Sequence, residues 1–226
     1  MNTKQAAGER AADYVENGMT IGLGTGSTVY WTIRQLGARV VNDGLKIQAV
    51  PTSKQTEHLA RQFGIPLVTF AGVQHLDLTI DGADEISPAL DLIKGGGAAL
   101  LREKLVAAAS KRLIIVADQS KLAPLLGSYD LPVEIVPFAW ETTARRIEKL
   151  NLKPTLRMRE GKMFVSDNGN YILDCASGGN IENPAKLHVE LKLLTGVVET
   201  GLFTGMTSAA VVADANGIEI IERTFY

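Results

Sequence analysis

Three short runs have the residue types and spacing to do chemistry on a small polar molecule: Asp81-Gly82-Ala83-Asp84-Glu85, Lys94-Gly95-Gly96-Gly97 and Arg102-Glu103-Lys104. In the first, glycine lets the chain turn sharply with two carboxylates on one loop, an arrangement suited to general acid and base work. A plain solvated acidic turn is the competing reading of Asp81 and Asp84. In the second, three consecutive glycines carry an entropy cost unless the backbone must approach something closely or take positive φ. Ala98-Ala99-Leu100-Leu101 follow, so the glycine amides are expected to open a helix. Beside Lys94 they would hold negative charge, either a phosphate or a developing oxyanion. The flanking lysine and acids favour that over a flexible loop. Glu103 is expected about two turns into the helix, and its helical neighbours Ala99, Leu100, Val106 and Ala107 are all apolar, so none offers a salt bridge. Arg102 and Lys104 have equally apolar neighbours, and pattern alone leaves Glu103 a candidate.

A fourth run, Gly24-Thr25-Gly26-Ser27-Thr28, follows a predicted strand from Met19 to Leu23 and precedes a predicted helix through about Leu36. Strand, glycine-rich turn and helix together make a phosphate cradle. Gly22-Leu23-Gly24 begins like a dinucleotide fingerprint, but Ser27 replaces the third glycine. The next strand, Lys46 to Val50, ends in Pro51-Thr52-Ser53 instead of an acid for a ribose hydroxyl. There is no Gly-Lys-Ser/Thr of a P-loop either. Hydroxyls of Thr25, Ser27 and Thr28 beside amides suit a terminal phosphate monoester; the competing reading is an N-capping Ser or Thr with nothing bound.

These runs need elements to carry them. Leu76 to Ile80 alternates as a strand that delivers Asp81, and Arg112 to Ala117 reads as a buried strand ending at Asp118-Gln119-Ser120-Lys121. Helices are expected over about Thr3 to Val15, stopped by Asn17-Gly18, and over Ser53 to Phe63, with a short strand from Leu67 to Phe70. Alternating strands and helices predict a doubly wound, mainly parallel, Rossmann-like sheet whose ligand-bearing loops share one edge with Lys121. After Leu131-Pro132 the order becomes β-α-β-β-α-β, that of a ferredoxin-like α+β module. In it, Asn183-Pro184 starts the second helix and Gly196 ends it. The expected division is a catalytic domain of residues 1–130 with 205–226 and a small inserted domain of residues 131–204. A hairpin about Asn216-Gly217 returns the chain to the first.

At 226 residues and 46% hydrophobic, the chain can build a sizeable core. A formal net charge of −2 argues against general nucleic-acid binding. The single cysteine, Cys175, excludes an intrachain disulfide or a cysteine-cluster metal site and fits a reducing compartment. Without an apolar leader or a membrane-length apolar run, the expectation is a cytoplasmic protein. His58, His75 and His188 lack metal-ligand spacing, so no metal is expected. Arg145-Arg146 and Arg157-Met158-Arg159 read as a solvated basic face, and Trp31 and Trp140 as packing.

These runs, together with Ala98-Ala99, Ala117-Asp118-Gln119-Ser120-Lys121, Gly196-Val197-Val198-Glu199 and Gly201-Leu202-Phe203, closely resemble the type A ribose-5-phosphate isomerase family over nearly the whole chain. The resemblance implies interconversion of D-ribose 5-phosphate and D-ribulose 5-phosphate in the pentose phosphate pathway. It further implies that the reaction needs no cofactor and that the enzyme is a cytoplasmic oligomer, commonly a homodimer. Carried over, Glu103 would be the base that moves a proton through an enediolate. Asp81 and Asp84, with Gly82 and Ala83 in their loop, would help open the sugar ring and position its hydroxyls. Lys94 with the amides of Gly95, Gly96 and Gly97 would stabilise the oxyanion. Thr25, Gly26, Ser27 and Thr28, with Lys4 and Lys121, would hold the phosphate or the sugar. Two alternatives stand beside this. A phosphosugar deaminase or lactonase would favour a histidine near the acids, and none lies in the glycine loops. A sugar-phosphate sensor would need no Glu103.

Overall fold

The computed structural model describes residues 2–223; Met1 and residues 224–226, which fall in the expected range of the first domain, lie outside the described residues. In chain order the elements are α1 (Thr3–Ala12), β1 (Thr20–Leu23), α2 (Val29–Asn42), β2 (Gln48–Pro51), α3 (Lys54–Gln62) and β3 (Leu78–Gly82). There follow β4 (Glu85–Ile86), β5 (Leu92–Ile93), α4 (Leu100–Ala108), β6 (Leu113–Asp118) and β7 (Leu131–Ile135). Then come α5 (Trp140–Glu148), β8 (Lys153–Leu156), β9 (Met158–Arg159), β10 (Lys162–Met163) and β11 (Tyr171–Ala176). The chain closes with α6 (Pro184–Lys192), β12 (Val197–Thr200), β13 (Leu202–Phe203), β14 (Ala209–Ala213) and β15 (Ile218–Glu222).

The chain divides into two compact units. The first comprises residues up to Ala83, Arg102–Lys121 and the segment from Met206 onward. Its six-stranded sheet has the order β15-β14-β6-β3-β1-β2. All pairings are parallel except the β14–β15 hairpin. Strands β1, β6 and β14 are buried nearly along their whole length, as expected where both faces of a sheet are covered, while β15 at the edge is mostly exposed. Ile21, Leu23, Ile80, Ile114, Val116 and Val211 pack in one core with Ala7, Ala11, Val29 and Ile33 of α1 and α2. Parallel β1, β3 and β6 end on the same edge, as the sequence predicts, so the Thr25 loop, Asp81 and the turn Gln119–Lys121 leave the sheet there.

Two elements depart from expectation. The stretch from Leu67 to Phe70 forms no strand and contributes only an isolated bridge between Ala49 and Leu67. Helix α2 continues past Leu36 to Asn42, because Gly37 lies in close packing: a Cβ there would sit 2.6 Å from Phe63 Cβ.

The second unit comprises Asp84–Leu101 and Leu122–Gly205, so Asp84–Leu101 and residues 122–130, expected with the first domain, pack with the inserted one. Its main sheet has the order β12-β7-β11-β8, antiparallel throughout. Numbered within the module this is 4-1-3-2, the ferredoxin-like arrangement that the β-α-β-β-α-β order anticipates. Val133, Ile135, Leu173 and Cys175 face Ile147 of α5 and Leu191 of α6 in its core. A second sheet, β13-β5-β4, has no counterpart in the sequence reading.

Candidate active site

In the first unit, glycines set how closely β1 approaches β3. A Cβ on Gly24 would lie 2.0 Å from Asp81 Oδ1. Only glycine leaves room for the Asp81 carboxylate to fold over the end of β1. There Asp81 Oδ1 accepts the N–H of Thr25 at 3.1 Å and of Gly82 at 2.7 Å, and the side chain is fully buried. Such charge-assisted bonds to backbone amides support a carboxylate in a buried setting.

The Thr25 loop divides its labour. Thr25 Oγ1 lies 2.8 Å from the hydroxyls of Thr52 and Ser53 and 3.1 Å from that of Thr56. Thr56 Oγ1 in turn donates to the carbonyl of Gly24 at 2.8 Å. The Thr25 hydroxyl, expected on the phosphate, is therefore part of a hydroxyl cluster that braces the loop. Gly26, at φ +129°, and Ser27 are exposed. Thr28 stands at the N-cap of α2 with no side-chain capping bond, so simple capping does not explain it. Lys4 Nζ donates to Ser27 Oγ at 3.2 Å, which ties α1 to the loop. That bond is possible because Gly8 brings α1 close to α2: a Cβ there would lie 2.5 Å from the Thr28 carbonyl oxygen. Lys121 ends the short helical turn after β6 on the same sheet edge.

Glu103 lies in the first turn of α4, not two turns in, and is 4% exposed. Partial positive charge at a helix N-terminus favours a carboxylate in that position.

In the second unit, the glycine triplet is a turn that ends before α4 begins, so its amides are not those of the helix N-terminus. Gly95 takes φ +103° and Ala98 φ +60°. The Gly96 N–H donates to Asp84 Oδ2 at 2.7 Å and so positions that acid. A Cβ on Gly96 would lie 2.6 Å from both Asp84 Oδ1 and the Tyr129 hydroxyl oxygen. Lys94 follows β5, donates its N–H to the Gly201 carbonyl at 2.8 Å, and is only 2% exposed. Its Nζ lies 5.3 Å from the centre of the Phe203 ring, a cation–π contact.

Sequence reasoning missed the second unit's supports. Glu85 is a buried anchor whose carboxylate accepts the N–H groups of Gly127, Ser128 and Tyr129 at 2.6, 3.0 and 3.2 Å. Tyr129 is held above the usual phenol range by burial and by the negative charge of Asp84. Arg157, read as part of a solvated face, is instead paired with Asp174 and only 14% exposed at its side chain. Its signal in the sequence is weak, since these contacts join residues 17 to 62 positions apart. Arg145 and Arg146 are exposed as expected. Burial pushes the Cys175 thiol up, which makes it a poor nucleophile. His188 bonds Thr200 Oγ1 at 2.7 Å. Among the described residues there is no group of three or more potential metal ligands, and no helix long and apolar enough to cross a membrane.

A glycine-rich loop and a buried acid at the strand ends of the first unit's sheet and, within the second unit, a buried lysine beside a glycine turn are each features met in enzymes of small anionic metabolites. The profile of the ribose 5-phosphate isomerase A (phosphoriboisomerase A) family matches residues 48–217. Ribose-5-phosphate isomerase A of Bacillus mycoides is 59% identical over 219 residues, which cover 97% of this chain and 99% of that one. Ribose 5-phosphate isomerase from Plasmodium falciparum superposes with a TM-score of 0.95 at 39% identity, over 99% of each chain. A D-ribose-5-phosphate isomerase solved in complex with phospho-erythronic acid superposes with a TM-score of 0.95 at 35% identity, over 99% of this chain and all of that one. The chain belongs to the ribose 5-phosphate isomerase A family.

Proposed function

We propose that this isomerase interconverts D-ribose 5-phosphate and D-ribulose 5-phosphate by proton transfer through an enediolate, with Glu103 as the base. Glu103 takes the proton from C2 of the open-chain aldose, and the electron pair left behind moves to the C1 oxygen. The O2 hydroxyl proton passes to O1, and returning the carbon-bound proton to C1 lets the charge now on O2 collapse to the ketone, with O1 left as a hydroxyl. Hydrogen moves within one molecule, so the reaction balances without a redox partner. Asp81 and Asp84 assist ring opening and orient hydroxyls, and Lys94 with the glycine turn stabilises the developing oxyanion. A single such donor can be worth about 3–4 kcal/mol. Lys4, Thr25, Gly26, Ser27, Thr28 and Lys121 hold the phosphate or the sugar, the Thr25 hydroxyl also bracing their loop. That remote binding energy orients the reacting carbons.

The observation that carries these roles is the burial of Asp81, Lys94 and Glu103, at 0, 2 and 4% exposure. Ionisable groups are rarely so buried, and they gather at functional sites when they are. We further infer a cytoplasmic homodimer working in the pentose phosphate pathway.

The test is a coupled assay of ribulose 5-phosphate formation from ribose 5-phosphate, with EDTA and no added cofactor, on wild type and Glu103→Gln. Turnover by wild type that falls at least about a hundredfold in the variant is expected. A variant that keeps its turnover moves the base to Asp81 or Asp84, and a wild type that binds but does not turn over removes the isomerase reading.

A further inference from the structure

The Lys94–Gly97 turn carries the proposed oxyanion donors, yet glycine cannot hold its own peptide planes in place. The second unit supplies what does. Arg157 Nη1 donates to the carbonyl oxygens of both Gly95 and Gly96, at 3.0 and 3.1 Å. The same guanidinium grips Asp174 through Nε, at 2.9 Å to Oδ2, and through Nη2 to Oδ1. A fork-on-fork pair of this kind fixes the guanidinium plane as well as its position. Arg157 directly follows β8, with its N–H donated to the Ile172 carbonyl of β11 at 2.9 Å, and Asp174 sits on β11, so both are anchored to the sheet of the unit.

The consequence follows from peptide planarity. In a trans peptide the C=O of one residue and the N–H of the next point in opposite directions. Drawing the Gly95 carbonyl to Arg157 therefore turns the Gly96 N–H away from it, and that N–H reaches Asp84 Oδ2 at 2.7 Å. Drawing the Gly96 carbonyl to the same nitrogen turns the Gly97 N–H away from Arg157 in the same manner. Two successive carbonyls aimed at one donor is not an arrangement of regular strand, where they alternate. The positive φ of Gly95 and the Ala98 N–H donated to the Gly95 carbonyl at 2.8 Å shape the turn, and Arg157 adds one cation shared by both carbonyls. We propose that Arg157, held by Asp174, is the positioning residue of the reaction: it aims the Gly97 N–H at the substrate oxygen and the Gly96 N–H at Asp84. The assignment rests on the isomerase reading above. Arg157 itself touches no reacting atom.

The experiment compares wild type, Arg157→Met and Asp174→Asn as full-length enzymes. It measures kcat, KM, the thermal midpoint, and the affinities for phospho-erythronic acid and for inorganic phosphate. The acid's carboxylate resembles the charged enediolate end of the substrate, whereas inorganic phosphate probes the other end alone. A misaimed donor loses part of the hundredfold or more that one donor is worth, so Arg157→Met is expected to lower kcat by about 10- to 100-fold. KM should stay within about threefold, because phosphate binding is untouched. Affinity for phospho-erythronic acid should fall with kcat while that for inorganic phosphate holds. A kcat within twofold of wild type overturns the proposal. So does a loss shared equally by both probes, which is the mark of a protein that is merely less folded. If Arg157→Met does not fold, Asp174→Asn carries the same expectations, since it loosens the guanidinium and leaves it present; wild-type kcat in that variant overturns the role. A wild type without turnover defeats the isomerase reading itself, which separates the two failures.

Discussion

Carboxylates buried in this chain are held in different ways. Glu85 spends both oxygens on three backbone amides. Glu134, fully buried, gathers Ser166, Asn168 and Asn170 on its Oε1. Both close turns, and neither has a local signal, because their donors lie 32 to 44 residues away. Asp81 and Lys94 stand out as candidates because glycines and neighbouring charges flank them in the sequence itself, whereas pattern alone leaves Glu103 no more marked than Arg102 and Lys104, and its proposed role comes from the family resemblance. Asp77 belongs to the scaffold and allows a pH test. The Lys111 ammonium, at 2.9 Å, and then the Thr20 N–H, at 3.0 Å, hold its carboxyl below the ordinary value of 3.8. A depressed pKa means that folding favours the ionised form. Its contribution is complete above pH 3.8 and disappears as pH falls through the lower folded value. Asp77→Asn should therefore cost about 0.5–1 kcal/mol at pH 7, kept small by solvent screening of the lysine arm. The gap should narrow below about pH 4 in urea titrations of both proteins. A gap that is constant down to pH 2.5 would show that charge at Asp77 contributes nothing.

At the scale of elements, the sequence marks strand ends better than it marks pairings. Loops after β1, β3 and β6 were legible because each combines an apolar run with a turn residue and a polar cluster, all local features. Nothing local announces that β5 pairs with β13, Ile93 opposite Leu202, since over a hundred residues separate them. That pairing places Lys94, and the sequence gives only the lysine. The Gly95–Gly97 turn was misread as a helix start for a related reason. Glycines before an alanine-rich run fit an N-terminus, but the Ala98 N–H closes a turn onto the Gly95 carbonyl at 2.8 Å, Arg157 bonds the Gly95 and Gly96 carbonyls, and α4 begins only at Leu100. The β1–β3 pairing carries a prediction of its own. Gly24→Ala puts a methyl carbon 2.0 Å from Asp81 Oδ1, against a carboxylate already tied to two amides. Asp81 must then move while the sheet, paired along Ile21 to Leu23, stays. The expectation is a fall in kcat of at least about tenfold from a displaced acid, with circular dichroism unchanged. Full activity in a folded Gly24→Ala enzyme would show that the position of Asp81 is unimportant to turnover.

At the scale of the whole molecule, the chain builds two cores and crosses between them more often than the sequence suggests. The β-α-β-β-α-β order revealed the second module, but Asp84–Leu101 packs with it through pairings that only the folded chain makes. The second unit also explains why a dimer is expected. Its helices α5 and α6 cover one face of the sheet, contributing Ile147 and Leu191 to the same core. Beyond that core Phe138 is 89% exposed, and Val189 and Leu193 on and after α6 are exposed as well. Aromatic and aliphatic groups left in water cost free energy that association recovers, roughly 25 cal/mol per Å² removed from solvent, and closed two-fold pairing is the commonest way to recover it. Light scattering at micromolar concentration should give about twice the 24.3 kDa of the chain. Phe138→Glu combined with Leu193→Glu should shift the protein toward the monomer if these exposed side chains lie in the interface, because each copy would then bring charges to it. A monomeric wild type would refute the dimer. A dimer indifferent to both substitutions would keep the dimer and move its interface off this surface.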